Sequence, residues 1–168
     1  MANSQNEKDE SFETLRELIK DVRFAMFTTR DTDDKLHSRP MTTQQTEVFD
    51  GELWFMTYND STVTSQVKGN ADVLITYSEP DAHSYVSVNG RADVRQDPAK
   101  VKELWKAPLK AWFPDGPDDP KIALIRVVVA SAEYWDSPSA PVQALHFLKA
   151  IATGKEMDLG DHGKLKLM

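Results

Sequence analysis

Leu36-His37-Ser38-Arg39-Pro40-Met41-Thr42-Thr43 is followed, after a turn, by Leu53-Trp54-Phe55-Met56-Thr57-Tyr58-Asn59-Asp60-Ser61-Thr62. The first stretch sets one permanent positive charge, Arg39, among hydroxyl side chains on an extended segment, and Pro40 within it has no N–H to give to a ladder. Arg39 is therefore expected on an edge strand or at a bulge. The second stretch is an aromatic strand running into Asn59-Asp60-Ser61-Thr62, helix-capping residues whose following backbone N–H groups are suited to meet an anion. Two strands and one helix start thus read as a cradle for a flat, phosphorylated aromatic ligand.

The neighbouring segments supply the rest of a β-rich core. Arg23 to Thr29 alternates with Phe24, Met26 and Thr28 on one face and Ala25 and Phe27 on the other. Both faces carry apolar weight, as in a barrel wall covered by a helix. That helix is expected over residues 10 to 22, where Phe12, Leu15, Leu18, Ile19 and Val22 recur at helical spacing, with Ser11 as its cap. Lys35 to Val48 reads as one long irregular strand, and Asp50-Gly51 as a hairpin turn leading into Glu52 to Tyr58. A short helix from Ser61 to Lys68 is expected to end on a left-handed cap at Gly69-Asn70.

Val73 to Tyr77 and Tyr85 to Val88 are further strands. Asn89-Gly90 reads either as a hairpin tip or as a bulge past which Arg91 to Val94 continues the strand. Asp97-Pro98 opens a helix with Val101, Leu104 and Trp105, and Trp112-Phe113 lies in a stiff, proline-rich connector from Pro108 to Pro120. Ile122 to Trp135 is the longest strand, and Val142, Leu145, Phe147, Leu148 and Ile151 mark a last helix before a weakly patterned tail. Six strands, joined by connections too short for repeated crossover helices, predict an antiparallel barrel with peripheral helices.

Composition narrows the partners. With 20 basic and 27 acidic residues the formal charge is −7, and no basic run stands out, which disfavours nucleic acid. The 168 residues suit one domain, with a core from about 10 to 155 and tails at 1–9 and 155–168. The absence of cysteine removes disulfides and thiolate chemistry and suits a reducing cytoplasm. No stretch approaches a membrane span, so no membrane partner is expected. His37, His83, His146 and His162 lack metal-ligand spacing, and the acidic stretches Asp31 to Asp34 and Asp118-Asp119 read as solvated turns.

Ser38-Arg39-Pro40-Met41, Leu53-Trp54-Phe55-Met56-Thr57, Tyr85 to Ala92, Lys110-Ala111-Trp112-Phe113-Pro114-Asp115-Gly116 and Ala132-Glu133-Tyr134-Trp135-Asp136 together resemble the FMN-binding split-barrel superfamily. Pyridoxamine 5′-phosphate oxidase typifies it, and the resemblance is to its bacterial general stress protein branch. It implies a mainly β (α+β) six-stranded antiparallel split β-barrel of Greek-key type, a homodimer with FMN at the subunit interface, and the bulge at Asn89-Gly90.

By the same resemblance Arg39 contacts the FMN phosphate within Arg39-Pro40-Met41-Thr42, and Met41 and Thr42 lie along the isoalloxazine edge. Phe55, Met56 and Thr57 line the ring and ribityl chain, Ser61 and Thr62 complete the phosphate grip, and Trp112 and Phe113 reach the partner's flavin. The family pattern carries a lysine two residues after the serine; Val63 stands there. The arginine and histidine that contact substrate in the vitamin-forming oxidases have no counterpart after Trp135, so pyridoxamine-phosphate oxidation is disfavoured.

No general base or nucleophile stands out, which a flavin protein tolerates because the cofactor carries the redox chemistry. Three readings follow. One is an FMN-dependent oxidoreductase or flavin reductase-like protein taking electrons from NADH or NADPH. The others are a non-catalytic FMN-binding stress protein, and a flavin-free barrel that binds heme or a deazaflavin or acts as an interaction module.

Overall fold

The computed structural model describes residues 2–44, 49–136 and 161–167. Helix α1 (Ala2–Ile19) leads into an antiparallel sheet of β1 (Ala25–Arg30), β2 (Leu36–Met41), β3 (Thr43–Gln44), β4 (Glu52–Tyr58), β5 (Asp72–Glu79), β6 (Ser84–Arg95), β7 (Ile122–Asp136) and β8 (Asp161–Lys166). Helix α2 (Thr62–Gly69) follows β4, and α3 (Pro98–Leu104) with a 3-10 turn (Ala107–Ala111) separates β6 from β7. The strand order is β2-β1-β5-β6-β7-β4-β3, with β8 added to β7. Strands β2 and β3 lie at opposite ends of that order yet are consecutive in the chain, so the sheet curls until Leu36 to Gln44 spans its two ends.

The barrel fold stands as expected, with eight strands among the described residues rather than six. The long strand expected over Lys35 to Val48 breaks at Thr42: β2 pairs with β1 and β3 with β4. The other addition, β8, comes from the weakly patterned tail; it pairs with the second half of β7, and Leu167 beyond it is buried in the core. The helix expected over Val142 to Ile151 lies outside the described residues, as does the end of the Lys35 to Val48 segment.

The curl is made at one irregularity. Register slips where Asn89 faces Ser131 but Gly90 faces Val129, leaving Ala130 of β7 as the unmatched residue. Below this bulge the free edge of β7 pairs with β4, from Ile122 to Val128, and above it with β8, from Ser131 to Asp136. Gly90 is required by proximity: a Cβ there would lie 2.6 Å from Val127 Cγ1 and 2.7 Å from the Val128 carbonyl oxygen.

Two apolar layers flank β4. Leu53 and Phe55 point into the main core with Leu15, Phe27, Ile75, Val88 and Ile125. Trp54 and Met56 point outward into a second cluster with Leu104, Leu109, Phe113 and Leu124, under α3 and the 3-10 turn. Alternation on one strand thus serves both layers.

Three local expectations are corrected. Helix α1 starts at Ala2, so Ser11 is internal and not a cap; polar helix formers such as Gln5, Glu7 and Lys8 carry the helix beyond its apolar stripe. Helix α2 ends without a left-handed residue: Asn70 is extended (φ −147) and its side-chain oxygen accepts from Asp72 N–H, leading directly into β5. Gln44 pairs with Trp54, a register other than the one a two-residue Asp50-Gly51 turn would set. Gly51 keeps a positive φ (90) and its carbonyl accepts from Val129 N–H at 2.9 Å. Among the described residues no helix is long and apolar enough to cross a membrane.

Gly90→Ala is expected to cost about 1–3 kcal/mol by forcing backbone apart at the bulge. Gly69→Ala, at a site open on all sides, is expected to be neutral or stabilising. Urea midpoints of the two variants check this pair.

Candidate functional site

Strand β2, the end of β4, the start of α2 and the 3-10 turn enclose a cavity of about 510 Å³. Small-molecule and cofactor sites occupy roughly 300–1,000 Å³. Arg39, Pro40, Met41 and Thr42 line one wall, Met56, Thr57, Ser61 and Thr62 a second, and Trp112 and Phe113 a third. Phe55 is elsewhere: its side chain is 0% exposed, packed edge-to-face on Phe27 at 4.9 Å. The pleat that turns Met56 toward the cavity turns Phe55 into the core.

Arg39 is half-buried and sits opposite Phe27 in the β1–β2 ladder. Its Nη1 donates to Thr29 Oγ1 at 2.9 Å and its Nη2 to Gln66 Oε1 at 2.5 Å. Gln66 Oε1 also accepts from Thr29 Oγ1 at 2.7 Å, and Gln66 Nε2 donates to Asp31 Oδ2 at 2.8 Å. Among the described residues no carboxylate forms an ion pair with Arg39. Burial disfavours the charged guanidinium, and the more distant Asp31 carboxylate opposes that effect. The Asp31 carboxyl is itself held below its ordinary range, first by the Thr32 amide and then by Gln66. Asp31, expected as a solvated turn residue, is therefore part of a polar network behind the cavity.

The helix start forms the adjoining wall. Ser61 caps α2: its hydroxyl accepts from Thr64 N–H at 3.4 Å and from Thr57 Oγ1 at 3.0 Å. It is thus already engaged, and the exposed Thr62 hydroxyl and the Thr62 and Val63 N–H groups remain to meet a ligand. Val63, at the position of the family lysine, is 5% exposed and joins the main core as well as the cavity wall.

The opposite side is apolar and aromatic. Tyr58 packs edge-on against Phe113 at 5.1 Å, and its hydroxyl donates to the Trp112 carbonyl at 3.1 Å, fixing the 3-10 turn over β4. Phe113 is buried, whereas Trp112 is 52% exposed at the mouth. The arrangement therefore has one cationic, hydroxyl-rich end and one aromatic end. Sequence reading missed Phe24, His37 and Tyr58 in the wall, and Gln66 behind it. The signal for Gln66 was its place beside Val63 and Val67 on the buried face of α2.

An antiparallel sheet curled around such a cavity defines a split-barrel protein. A general stress protein 26 from Jannaschia sp. CCS1 has this fold, with a TM-score of 0.70 at 23% identity and 99% of each chain covered. The general stress FMN/FAD binding protein of the phytopathogen Xanthomonas citri superposes with a TM-score of 0.68 at 29% identity, covering 78% of this chain and 92% of that one. Residues 10–158 match the family described as pyridoxamine 5′-phosphate oxidase like, and the chain belongs to that family. Protein bli-3 of Neurospora crassa is 31% identical over 157 residues, 88% of this chain and 75% of that protein.

The position of Val63 changes what a lysine there would do. Val63→Lys is expected to destabilise the ligand-free protein by roughly 1–3 kcal/mol, because the ammonium must leave an apolar setting. FMN, but not riboflavin, should recover that loss if the helix start faces a phosphate. Thermal midpoints with and without each flavin measure both effects.

Proposed function

We propose that this protein binds FMN, with the phosphate at Arg39 and the start of α2 and the ring against Met56, Trp112 and Phe113. The observation that carries this reading is Arg39 itself: a half-buried guanidinium on a cavity wall, held by two neutral oxygens and without a carboxylate partner among the described residues. Such a cation is arranged to receive an anion from the cavity. The first-turn N–H groups of α2 add a second positive pole to the same wall. The residues present therefore fit a phosphorylated, flat ligand, and likeness to an FMN/FAD-binding stress protein supports the flavin.

When bound, FMN supplies hydride and single-electron chemistry. This chain's residues would bind and orient it: Arg39 the phosphate, Met41 and Thr42 the ring edge, and the aromatic wall the ring face. We read the activity as that of an FMN-dependent oxidoreductase, or a flavin reductase-like protein, taking electrons from NADH or NADPH in the cytoplasm. Purified protein should be yellow, with flavin absorption bands that bleach on anaerobic addition of NADH or NADPH. A flavin spectrum that neither nucleotide bleaches supports the non-catalytic stress-protein reading, and a colourless protein that takes up no added FMN removes the flavin altogether.

Arg39→Ala is expected to weaken FMN by about 2–3 kcal/mol, the size of a lost charge-assisted contact. Riboflavin, which lacks the phosphate, should change much less. Calorimetry with both ligands decides, and equal losses would place the phosphate elsewhere.

The dimer belongs to the same proposal. Phe24, Met26 and Trp112 are large exposed apolar side chains, two of them on the cavity wall, and a second copy would cover them. Trp112→Ala should therefore weaken both self-association and flavin affinity. Light scattering and flavin titration of the variant are the readouts, and normal values for both would separate the site from any interface.

A further inference from the structure

The buried amide of Gln66 is oriented without ambiguity. Arg39 can only donate, so the Gln66 atom beside it at 2.5 Å is the oxygen; Asp31 accepts as a carboxylate, so the atom 2.8 Å from it is the nitrogen. Thr29 completes the oxygen's contacts at 2.7 Å, and His37 Nδ1 lies 3.4 Å from the nitrogen. Gln66 is only 4% exposed. A side chain of this length that accepts on one side, donates on the other and carries no charge is the requirement of the place, and glutamine meets it. Glutamate would set an oxygen against the oxygen of Asp31 and a full negative charge against Arg39.

We infer that Gln66 is a positioning residue that sets the charge Arg39 presents to the cavity: it fixes the guanidinium to α2 while keeping it un-neutralised. Gln66 lies one turn beyond Ser61 and Thr62 on α2, so the amide also holds Arg39 of the edge strand in register with the helix start. The two positive poles of the cavity wall are thus joined by one hydrogen-bonded group, and the nearest network carboxylate is kept one amide away. The inference rests on the FMN reading above and deepens it by naming what makes the site selective for a phosphate.

The test compares FMN with riboflavin by calorimetry in the wild type, Gln66→Glu and Gln66→Met. Gln66→Glu should reduce the FMN-to-riboflavin affinity ratio about tenfold or more, since the new carboxylate takes the place of the ligand's anion. Gln66→Met loses the hydrogen bonds but leaves the charge of Arg39 intact, and should reduce the ratio less. If the acid–acid contact prevents Gln66→Glu from folding, the double variant Asp31→Asn/Gln66→Glu removes that contact and should show the same loss of preference. A wild type that prefers FMN while Gln66→Glu keeps the wild-type ratio, or a Met variant as damaging as the Glu variant, overturns the role of Gln66 alone. A wild type that binds neither flavin, or both equally, overturns the phosphate reading and this inference together.

Discussion

The close passage of β6 over β7 at Gly90 is the constraint on which the rest of the structure depends. With a Cβ excluded by the Val127 side chain and the Val128 carbonyl, the two backbones approach closely beside the unmatched Ala130. A β-bulge sharpens local bend and twist. Here it lets the free edge of one fifteen-residue strand serve two partners, β4 before the bend and β8 after it. Ala130 is not left unpaired: its carbonyl accepts from Leu167 N–H, and Gly51 accepts from Val129 N–H on the other side. Because β4 is fixed by the first half of β7, the end of β4 and the helix start that follows it are fixed too, and these form one wall of the cavity.

The other wall depends on polar contacts. Among the described residues strand β2 pairs with β1 alone, and its Pro40 has no N–H to give to a ladder. Arg39 on this strand gains its fixed place from Thr29 and Gln66. A buried polar network of this kind is costly when incomplete, and here no buried side-chain polar atom among the described residues lacks a partner. The guanidinium is contacted by neutral oxygens, with the Asp31 carboxylate acting on it only from a distance, and so keeps an electrostatic pull on the cavity.

Much of the fold was legible because apolar alternation and turn chemistry agree along most of the chain. The faces of β4 follow the alternation of Leu53 to Tyr58, and Asp97-Pro98 opens α3 as its cap and first turn. The elements that escaped reading lack an apolar signature of their own. The first residues of α1 are polar, and β8 is a short polar segment whose Gly163 lies against the Tyr134 ring. In the cavity wall, Arg39, Ser61 and Trp112 announced themselves as a lone charge, a cap and an exposed aromatic. Gln66 showed no more than its place on the buried face of α2, since its role depends on the partners that the fold brings to it from Thr29, Asp31 and Arg39, which are distant in sequence.

Closure of the sheet and assembly of the cavity are the same event. The segment from Leu36 to Gln44 begins on β1 at one end of the sheet and finishes on β4 at the other, crossing at Thr42. Thr43, just past the crossing, is tied across the interior to Tyr77 of β5 by hydroxyls 2.9 Å apart. Burial pushes the Tyr77 phenol far above its ordinary value, so it stays a neutral hydroxyl. Arg39, three residues before the crossing, is tied to α2 through Gln66. The closing segment is therefore held by polar contacts on both sides of Thr42, from Arg39 to Thr29 and Gln66 before it and from Thr43 to Tyr77 after it, and Arg39 to Thr42 line the cavity. A ligand that engages both Arg39 and the start of α2 adds a further link between the parts that Gln66 already joins, so its binding energy also stabilises the closed sheet.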